Sequence, residues 1–235
     1  MTAPTPTAIA PARILTTAAE AITAARELAR LWSQTAASVD AERRIPRAEL
    51  AALSRSGLLA VTVPREFGGP GLTTETLIEI FLILAATDTS LAQVPQNHFD
   101  FVDTLLVAAP ETRALLYGEV LRGARFGNAI AEPGRPSRRE IATTIVEDGE
   151  GYRLNGRKFF STGALTAQWV PVFGKHADGR ILTAYVRRDT PGLDVRADWD
   201  AFGQRGTFSG TTILDNVWVP SSQVVDRSVG DRALL

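Results

Sequence analysis

The stretch that decides the fold of this chain is Leu154-Asn155-Gly156-Arg157-Lys158-Phe159-Phe160-Ser161-Thr162-Gly163. Asn-Gly favours the positive φ of a tight hairpin turn, and the β-branched and aromatic residues on either side favour a pleated strand. The stretch therefore predicts a turn at Asn155 and Gly156, followed by a strand edge that carries Ser161 and Thr162 outward.

Further strand-like runs surround this stretch in the second half of the chain. Turn signals such as Asp148-Gly149, Asp178-Gly179 and Pro191-Gly192 separate them. The predicted strands cover residues 126–131, 141–147, 151–160, 169–174, 181–187, 193–198 and 211–219. Several short strands at this spacing predict a β-barrel or a sandwich.

The first half of the chain has a helical periodicity instead. Between residues 15 and 39 apolar residues recur every three or four positions, and similar patterns follow Pro46, Thr73 and Pro110. These patterns predict five or six helices. We therefore expect an α+β protein in which an all-α domain precedes a β-barrel domain. The expected division is a disordered tail over 1–12, a helical domain over 13–124, a β-barrel domain over 125–225 and a short segment over 226–235.

Composition excludes several classes of function. Lys and Arg number 25 and Asp and Glu number 26, so no net charge attracts nucleic acid or an anionic membrane. The chain has no cysteine and two histidines, which excludes disulfides, thiolate zinc sites and a histidine-rich metal site. The N-terminal residues lack the pattern of a secretory signal, and no apolar run reaches the roughly 20 residues of a membrane span. These features predict a cytoplasmic protein.

Three segments together resemble one known family. Gly203-Gln204-Arg205-Gly206-Thr207-Phe208-Ser209-Gly210 is predicted to be a loop, and it returns to a strand that ends in Val217-Trp218-Val219-Pro220. With the first stretch, these segments resemble the middle β-domain of the acyl-CoA dehydrogenase superfamily. The loop over residues 63–71, Val-Pro-Arg-Glu-Phe-Gly-Gly-Pro-Gly, resembles part of its N-terminal helical domain. The resemblance covers residues 15 to 225 and implies a flavin enzyme.

The resemblance also implies where a flavin, FMN or FAD, would lie. Thr162 matches a threonine near the reactive N5 atom of the ring, where its hydroxyl is expected to donate a hydrogen bond, with Phe160 and Ser161 beside it. Ala131 matches a position at the pyrimidine end of the ring. Arg205 matches an arginine whose loop packs near the flavin. A plain strand end is the alternative for Ser161 and Thr162, and a structural salt bridge is the alternative for Arg205.

Departures from the dehydrogenase pattern favour another branch of the superfamily. Ala131 stands where a hydroxyl residue is usual, and Arg135-Pro136-Ser137-Arg138-Arg139 replaces the Gly-Ser-Asp that meets the CoA thioester. Asn128 and the string Ser-Thr-Gly-Ala-Leu over residues 161–165 instead look like the branch of flavin-dependent monooxygenases that act on organosulfur compounds. In that branch a separate reductase delivers reduced flavin, which reacts with oxygen. Asn128 and Thr162 match polar positions near the reacting carbon of the flavin.

His98 is the remaining candidate for catalysis. It lies in a predicted helix whose counterpart lines the substrate cleft of this family, and a titratable imidazole there could transfer a proton or orient the substrate. A histidine packed in the helix interface is the equal alternative. His176 lies beside the predicted turn at Asp178-Gly179 and is expected to be structural.

The leading hypothesis is a two-component monooxygenase that uses reduced flavin and oxygen on a small organosulfur or related substrate, with His98, Asn128 and Thr162 as catalytic residues. An acyl-CoA dehydrogenase is one alternative. A catalytically silent chain that binds flavin or pairs with a relative is another, because only fifteen residues follow Pro220 and the C-terminal four-helix bundle of the family is expected to be absent. A homo-oligomer or a helical partner would cover the surface left open.

Overall fold

A computed structural model describes residues 11–134 and 140–227, in which helices precede a sheet. The helices are α1 (Ala18–Trp32), α2 (Ala36–Glu42), α3 (Arg47–Arg55), α4 (Thr74–Ala85), α5 (Thr89–Gln93), α6 (Gln96–Thr104) and α7 (Pro110–Leu121). This arrangement confirms the expected α+β class with a helical domain before a β-domain. The expectations for residues 1–10, 135–139 and 228–235 lie outside the described residues, and the domain boundaries remain predictions.

The helix expected between residues 15 and 39 is two helices. Thr17 begins α1 with a capping box, since its side chain accepts from the Glu20 amide and the Glu20 carboxylate accepts in return. The chain leaves the helix at Ser33 to Thr35, where the Ser33 hydroxyl donates to the carbonyl of Arg30. Such local side-chain bonds compete with helix continuation, which explains the break.

Seven strands form one sheet in the order β5-β6-β2-β1-β3-β4-β7. They are β1 (Thr144–Asp148), β2 (Gly151–Lys158), β3 (Trp169–Lys175), β4 (Ile181–Arg187), β5 (Leu193–Val195), β6 (Thr212–Pro220) and β7 (Val224–Asp226). β1 pairs with β3 in parallel and the other pairs are antiparallel. β7 was not predicted from the sequence.

The segment over residues 126–131 is an irregular extension of this sheet. It makes isolated bridges rather than a continuous ladder, with Phe126 beside Trp169, Ala129 beside Val172 and Ala131 beside Phe159. The segment therefore lies between β3 and Phe159, the residue that follows β2, next to the end of the sheet that β1 does not reach.

The sheet curves around a single apolar core. Residues from six strands share this core, among them Ile145, Leu154, Val172, Leu182 and Leu214. β4 and β6 contact each other although three strands separate them in the sheet. The sheet therefore rolls up as a barrel. Its end strands β5 and β7 do not pair with each other in the part of the chain that the structure describes, so the barrel is open along one seam.

The expectation of a hairpin turn at Asn155-Gly156 is wrong. Both residues lie inside β2, where the register with β6 shifts between Leu154 and Gly156. Gly156 does not have a positive φ; instead, a Cβ at this position would lie 2.3 Å from Oγ1 of Thr143. The glycine is needed for this close approach, and the Asn155 side chain accepts a hydrogen bond from the Asn216 amide across the bulge.

A shared core joins the helical half to the sheet. Phe101 of α6 and Tyr117 of α7 pack in one cluster with Trp169 and Tyr185 of the sheet. The Tyr185 hydroxyl donates to the carbonyl of Phe101 at 2.7 Å. The helices are therefore fixed against the sheet, which positions any site between them. None of the described helices is long and apolar enough to cross a membrane.

Candidate active-site cleft

A cleft of about 410 Å³ lies where α5 and α6 meet the sheet. This volume is in the range of small-molecule sites, roughly 300–1,000 Å³. Side chains from both halves of the molecule line it, namely Gln93, Asn97, Asn128, Ile130, Ala131, Glu132, Glu140, Ile141, Phe160 and Thr162. The cleft brings together four of the predicted site residues: Asn128, Ala131, Phe160 and Thr162.

Phe160 gives the cleft an exposed aromatic wall. Its side chain is 61 % exposed, and its ring meets Trp199 edge-on with 5.8 Å between centroids. Its φ is +50°, a left-handed conformation that is costly for a bulky residue. Gln204 and Phe208, in the loop that follows Trp199, also have positive φ. Strained backbone that holds an aromatic ring open to solvent is typical of a ligand-binding position.

Thr162 ends a chain of three hydroxyl groups. Oγ1 of Thr162 lies 2.7 Å from Oγ of Ser209, Oγ of Ser209 lies 2.8 Å from Oγ1 of Thr207, and Oγ1 of Thr207 lies 2.9 Å from the carbonyl oxygen of Gln204. Each hydroxyl has one proton to donate. Because the carbonyl of Gln204 can only accept, the direction of the whole chain is determined.

The direction decides what Thr162 offers to the cleft. Thr207 donates to Gln204, so it must accept from Ser209, and Ser209 must then accept from Thr162. The Thr162 proton is therefore committed to the protein. Thr162 lines the cleft, and a hydroxyl whose proton is committed elsewhere can only accept a hydrogen bond there. The expectation that this hydroxyl donates to a flavin stays a prediction, and this arrangement favours acceptance instead.

Asn128 fixes Thr162 from the other side. Its backbone amide and its side-chain Nδ2 both donate to the carbonyl oxygen of Thr162, at 3.1 and 3.4 Å. Asn128 is 4 % exposed and borders the cleft. The segment that carries Asn128 and Ala131 and the strand end that carries Phe160 and Thr162 thus form one rigid wall.

A buried ion pair lies next to this wall. Nζ of Lys158 is buried and donates to a carboxylate oxygen of Glu132 at 2.7 Å and to the carbonyl of Ile130 at 3.2 Å. The same carboxylate accepts from the hydroxyl and amide of Thr143. Burial raises the pKa of Glu132, but these hydrogen bonds outweigh burial and lower its pKa to about 2. Glu132 is therefore a fixed anion at neutral pH.

His98 does not reach the cleft. It is completely buried, its Nε2 donates to the carbonyl of Leu59 at 2.9 Å, and its Nδ1 accepts from the amide of Phe126 at 3.0 Å. Burial lowers its pKa to about 4, so the ring is neutral at physiological pH. Both nitrogens are occupied by backbone groups, and this geometry corrects the expectation of a catalytic role and favours the structural alternative.

Ser161 and Arg205 also lie outside the set of residues that line the cleft. Ser161 is completely buried rather than turned outward, and its hydroxyl has no partner among the described residues. Arg205 lies 3.8 Å from a carboxylate oxygen of Asp40 on α2 and donates to the carbonyl of Phe202. This position matches the structural salt bridge that was the alternative for Arg205.

The sequence reasoning missed Gln93 and Asn97, which place two side-chain amides on the helical wall. The buried side of α6 could nevertheless be predicted from the sequence. Phe101 and Val102 follow His98 at positions i+3 and i+4, so the three residues lie on one apolar face of the helix. Asn97 is rotated about 100° from His98 around the helix and so leaves that face. The hydroxyl chain had no comparable signal, because three loop positions must fold together to form it.

Two family models match the chain. "Acyl-CoA dehydrogenase, N-terminal domain" matches residues 17–114, and "Acyl-CoA dehydrogenase, middle domain" matches residues 127–217. Among curated proteins, the dibenzothiophene monooxygenase of Rhodococcus qingshengii is 34% identical over 212 residues, which are 87% of this chain and 51% of the relative. The probable FMNH2-dependent monooxygenase SfnC of Pseudomonas putida is 29% identical over 210 residues, again 87% and 51%.

A solved structure gives the same result. The FMN-bound TdsC of Paenibacillus sp. A11-2 superposes with a TM-score of 0.83 at 31% identity, over 90% of this chain and 55% of that one. The chain thus spans about half the length of the curated relatives it matches. No group of three or more potential ligand side chains in the described ranges could hold a metal ion.

Proposed function

The chain belongs to the acyl-CoA dehydrogenase family, and from this we propose that it carries the flavin-contacting domains of a two-component flavin-dependent monooxygenase. The observation that carries the proposal is the acceptor that Thr162 presents beside the exposed ring of Phe160. Oxidised flavin has a lone pair at N5, whereas reduced flavin has an N–H there. A committed acceptor next to an aromatic wall therefore favours the reduced form.

The cleft contains groups that suit this cofactor. The Phe160 ring can cover the face of a flavin, and the wall formed by Asn128 and Thr162 supplies polar contacts at its edge. When bound, reduced flavin supplies the two electrons with which oxygen is split, one atom going to the substrate and one to water. The residues of the chain orient the ring, accept its N–H and keep one side of it away from water.

The substrate class follows from the remaining side chains of the cleft lining. Gln93 and Asn97 offer amide groups, and Ile130 and Ile141 offer apolar surface. A small sulfur-containing molecule with an apolar body fits such a mixed lining, and the relatives named for dibenzothiophene support this class. Ala131 offers no hydroxyl at the position where acyl-CoA dehydrogenases usually carry one, which disfavours the dehydrogenase alternative.

An anaerobic titration tests the flavin preference. We expect the protein to bind reduced FMN more tightly than oxidised FMN. Thr162→Val should weaken binding of reduced FMN by about 0.5–1.5 kcal/mol, the net value of one hydrogen bond, and leave oxidised FMN unaffected. Thr166→Val is the matched control, since its hydroxyl bonds the carbonyl of Gly163 and does not line the cleft. Equal affinities for the two redox forms would contradict the acceptor argument.

A second experiment tests the chemistry. With reduced FMN from a flavin reductase, ¹⁸O₂ and dibenzothiophene, mass spectrometry should find one labelled oxygen atom in the product. Reduction of bound oxidised FMN by an acyl-CoA would instead support the dehydrogenase alternative. A reductase partner, self-association and a cytoplasmic location are further predictions of the proposal.

A further inference from the structure

Two buried arginines, Arg125 and Arg188, lie near one end of the sheet, on either side of Gln168. Phe126, Trp169 and Arg187 form a row across three neighbouring segments of the sheet, because Trp169 pairs with Phe126 on one side and with Arg187 on the other. One residue further on, the backbone amide of Arg125 donates to the side chain of Gln168, and the amide of Arg188 donates to the carbonyl of Gln168. Arg125 and Arg188 therefore flank Gln168, one on each side of the segment that carries it.

Both guanidinium groups lack the partners that burial demands. Arg125 and Arg188 are each 7 % exposed. Arg125 donates one bond, from Nη2 to the carbonyl of Thr166, while its Nε and Nη1 and the Nε of Arg188 have no hydrogen-bond partner among the described residues. A buried cation without an anion is strongly unfavourable, and an arginine cannot escape by losing its proton.

The surroundings add positive charge. Burial and repulsion from Arg47 lower the pKa of Arg125 to about 10, which leaves it charged at neutral pH. Arg47, the exposed first residue of α3, also repels Arg188. Asp194 attracts Arg188, but its carboxylate is bonded by Arg196 at 2.9 Å. The positive charge of Arg47 thus acts on both buried arginines, and neither has a hydrogen-bonded carboxylate in the described part of the chain.

We propose that Arg125 and Arg188, with Arg47 at the solvent edge, form a binding site for an oxyanion, a carboxylate or a phosphate-type group. Two guanidinium forks with free N–H groups match the paired oxygens of such a group. Since Arg47 is exposed and Gln168 half-buried, the site opens beside the first turn of α3. It is separate from the cleft, because Arg125, Arg188 and Arg47 are absent from the cleft lining.

Isothermal titration of the protein with sodium phosphate and with sodium acetate, at constant ionic strength, tests this site. We expect saturable binding of at least one anion and a loss of affinity of tenfold or more in Arg188→Met. The anion affinity of Arg188→Lys, which keeps the charge but not the forked guanidinium group, should lie between those of the wild type and Arg188→Met. Arg153→Met is the matched control, since Arg153 pairs with Asp148 at the surface and its loss should change nothing.

The two anions distinguish the source of the ligand. Tighter binding of phosphate indicates a mobile phosphate-type ligand, whereas equal or tighter binding of acetate indicates a carboxylate side chain of a polypeptide. Absence of saturation by both anions overturns the proposal, and so does an equal effect of Arg188→Met and Arg153→Met. Circular dichroism establishes whether each variant is folded. If Arg188→Met does not fold, the anion affinity of Arg188→Lys is compared with that of the wild type instead.

Discussion

Two regions of the same sheet hold buried cations in opposite ways. Lys158 has an anion of its own, since Glu132 bonds it directly and Thr143 fixes the carboxylate. No carboxylate hydrogen-bonds Arg125 or Arg188 in the described part of the chain, although Asp194 attracts Arg188 at longer range. The difference teaches that the fold supplies a complete ion pair where it must hold the wall of the cleft rigid. Where it leaves cationic N–H groups unmatched, the anion is to come from elsewhere.

The largest expected effect comes from breaking the complete pair. Glu132→Gln leaves the buried ammonium of Lys158 without its anion, and loss of one partner of a buried pair costs about 3–5 kcal/mol. Urea denaturation measures the loss of unfolding free energy. Adding Lys158→Met should restore most of it, because the double variant no longer buries an unpaired charge. A single Glu132→Gln variant as stable as the wild type would remove the contrast between the two regions.

A smaller effect on stability concerns His98. This buried base avoids an unpaired charge by staying unprotonated, which neither Lys158 nor the two arginines do. Its folded pKa of about 4 lies below the ordinary 6.5, so the unfolded chain binds the extra proton first. The stabilisation is therefore fully present above pH 6.5 and falls as pH drops towards 4, by roughly 3 kcal/mol in all.

Denaturation curves between pH 7 and 4 measure this loss. His98→Gln should be less stable at pH 7 but should lack the part of the pH dependence that belongs to the imidazole. The carboxylate of Glu132, whose pKa is lowered from 4.5 to about 2, adds to the loss only below about pH 5, and it does so equally in wild type and His98→Gln. Identical slopes for wild type and His98→Gln would show that the ring is not held neutral.

The smallest effect belongs to the neutral chain of hydroxyls. Ser209→Ala removes the acceptor of the Thr162 proton, so the Thr162 hydroxyl becomes free to donate into the cleft. The preference for reduced over oxidised FMN should then shrink by about 0.5–1.5 kcal/mol, the value of one hydrogen bond. Measurement of the reduction potential of bound FMN reports this ratio directly. An unchanged potential would mean that Ser209 does not orient Thr162.

Much of the fold was accessible from sequence periodicity, and part of the site was not. The helical half and most strands follow from apolar spacing, and four residues that the family resemblance singled out, Asn128, Ala131, Phe160 and Thr162, line one cleft. Asn155-Gly156 misled, because the same dipeptide that makes a turn also permits a bulge with close backbone approach.

His98 and Arg205 show the other limit of the sequence. A residue type suited to chemistry does not reveal whether its polar atoms face a ligand or the backbone. Both ring nitrogens of His98 are hydrogen-bonded to backbone groups of Leu59 and Phe126, which are 39 and 28 positions away in the chain. Such long-range partners, like those of Lys158 and Arg125, arise from the tertiary fold and leave no local pattern.

The hydroxyl chain that begins at Thr162 has a consequence for proton traffic. A row of hydroxyls can conduct protons only if its far end can give up or receive one, and this row ends at the peptide carbonyl of Gln204. It is a closed end with no reservoir behind it. In the proposed monooxygenase, protons that are consumed or released at the cleft must therefore travel by a route other than this row of hydroxyls.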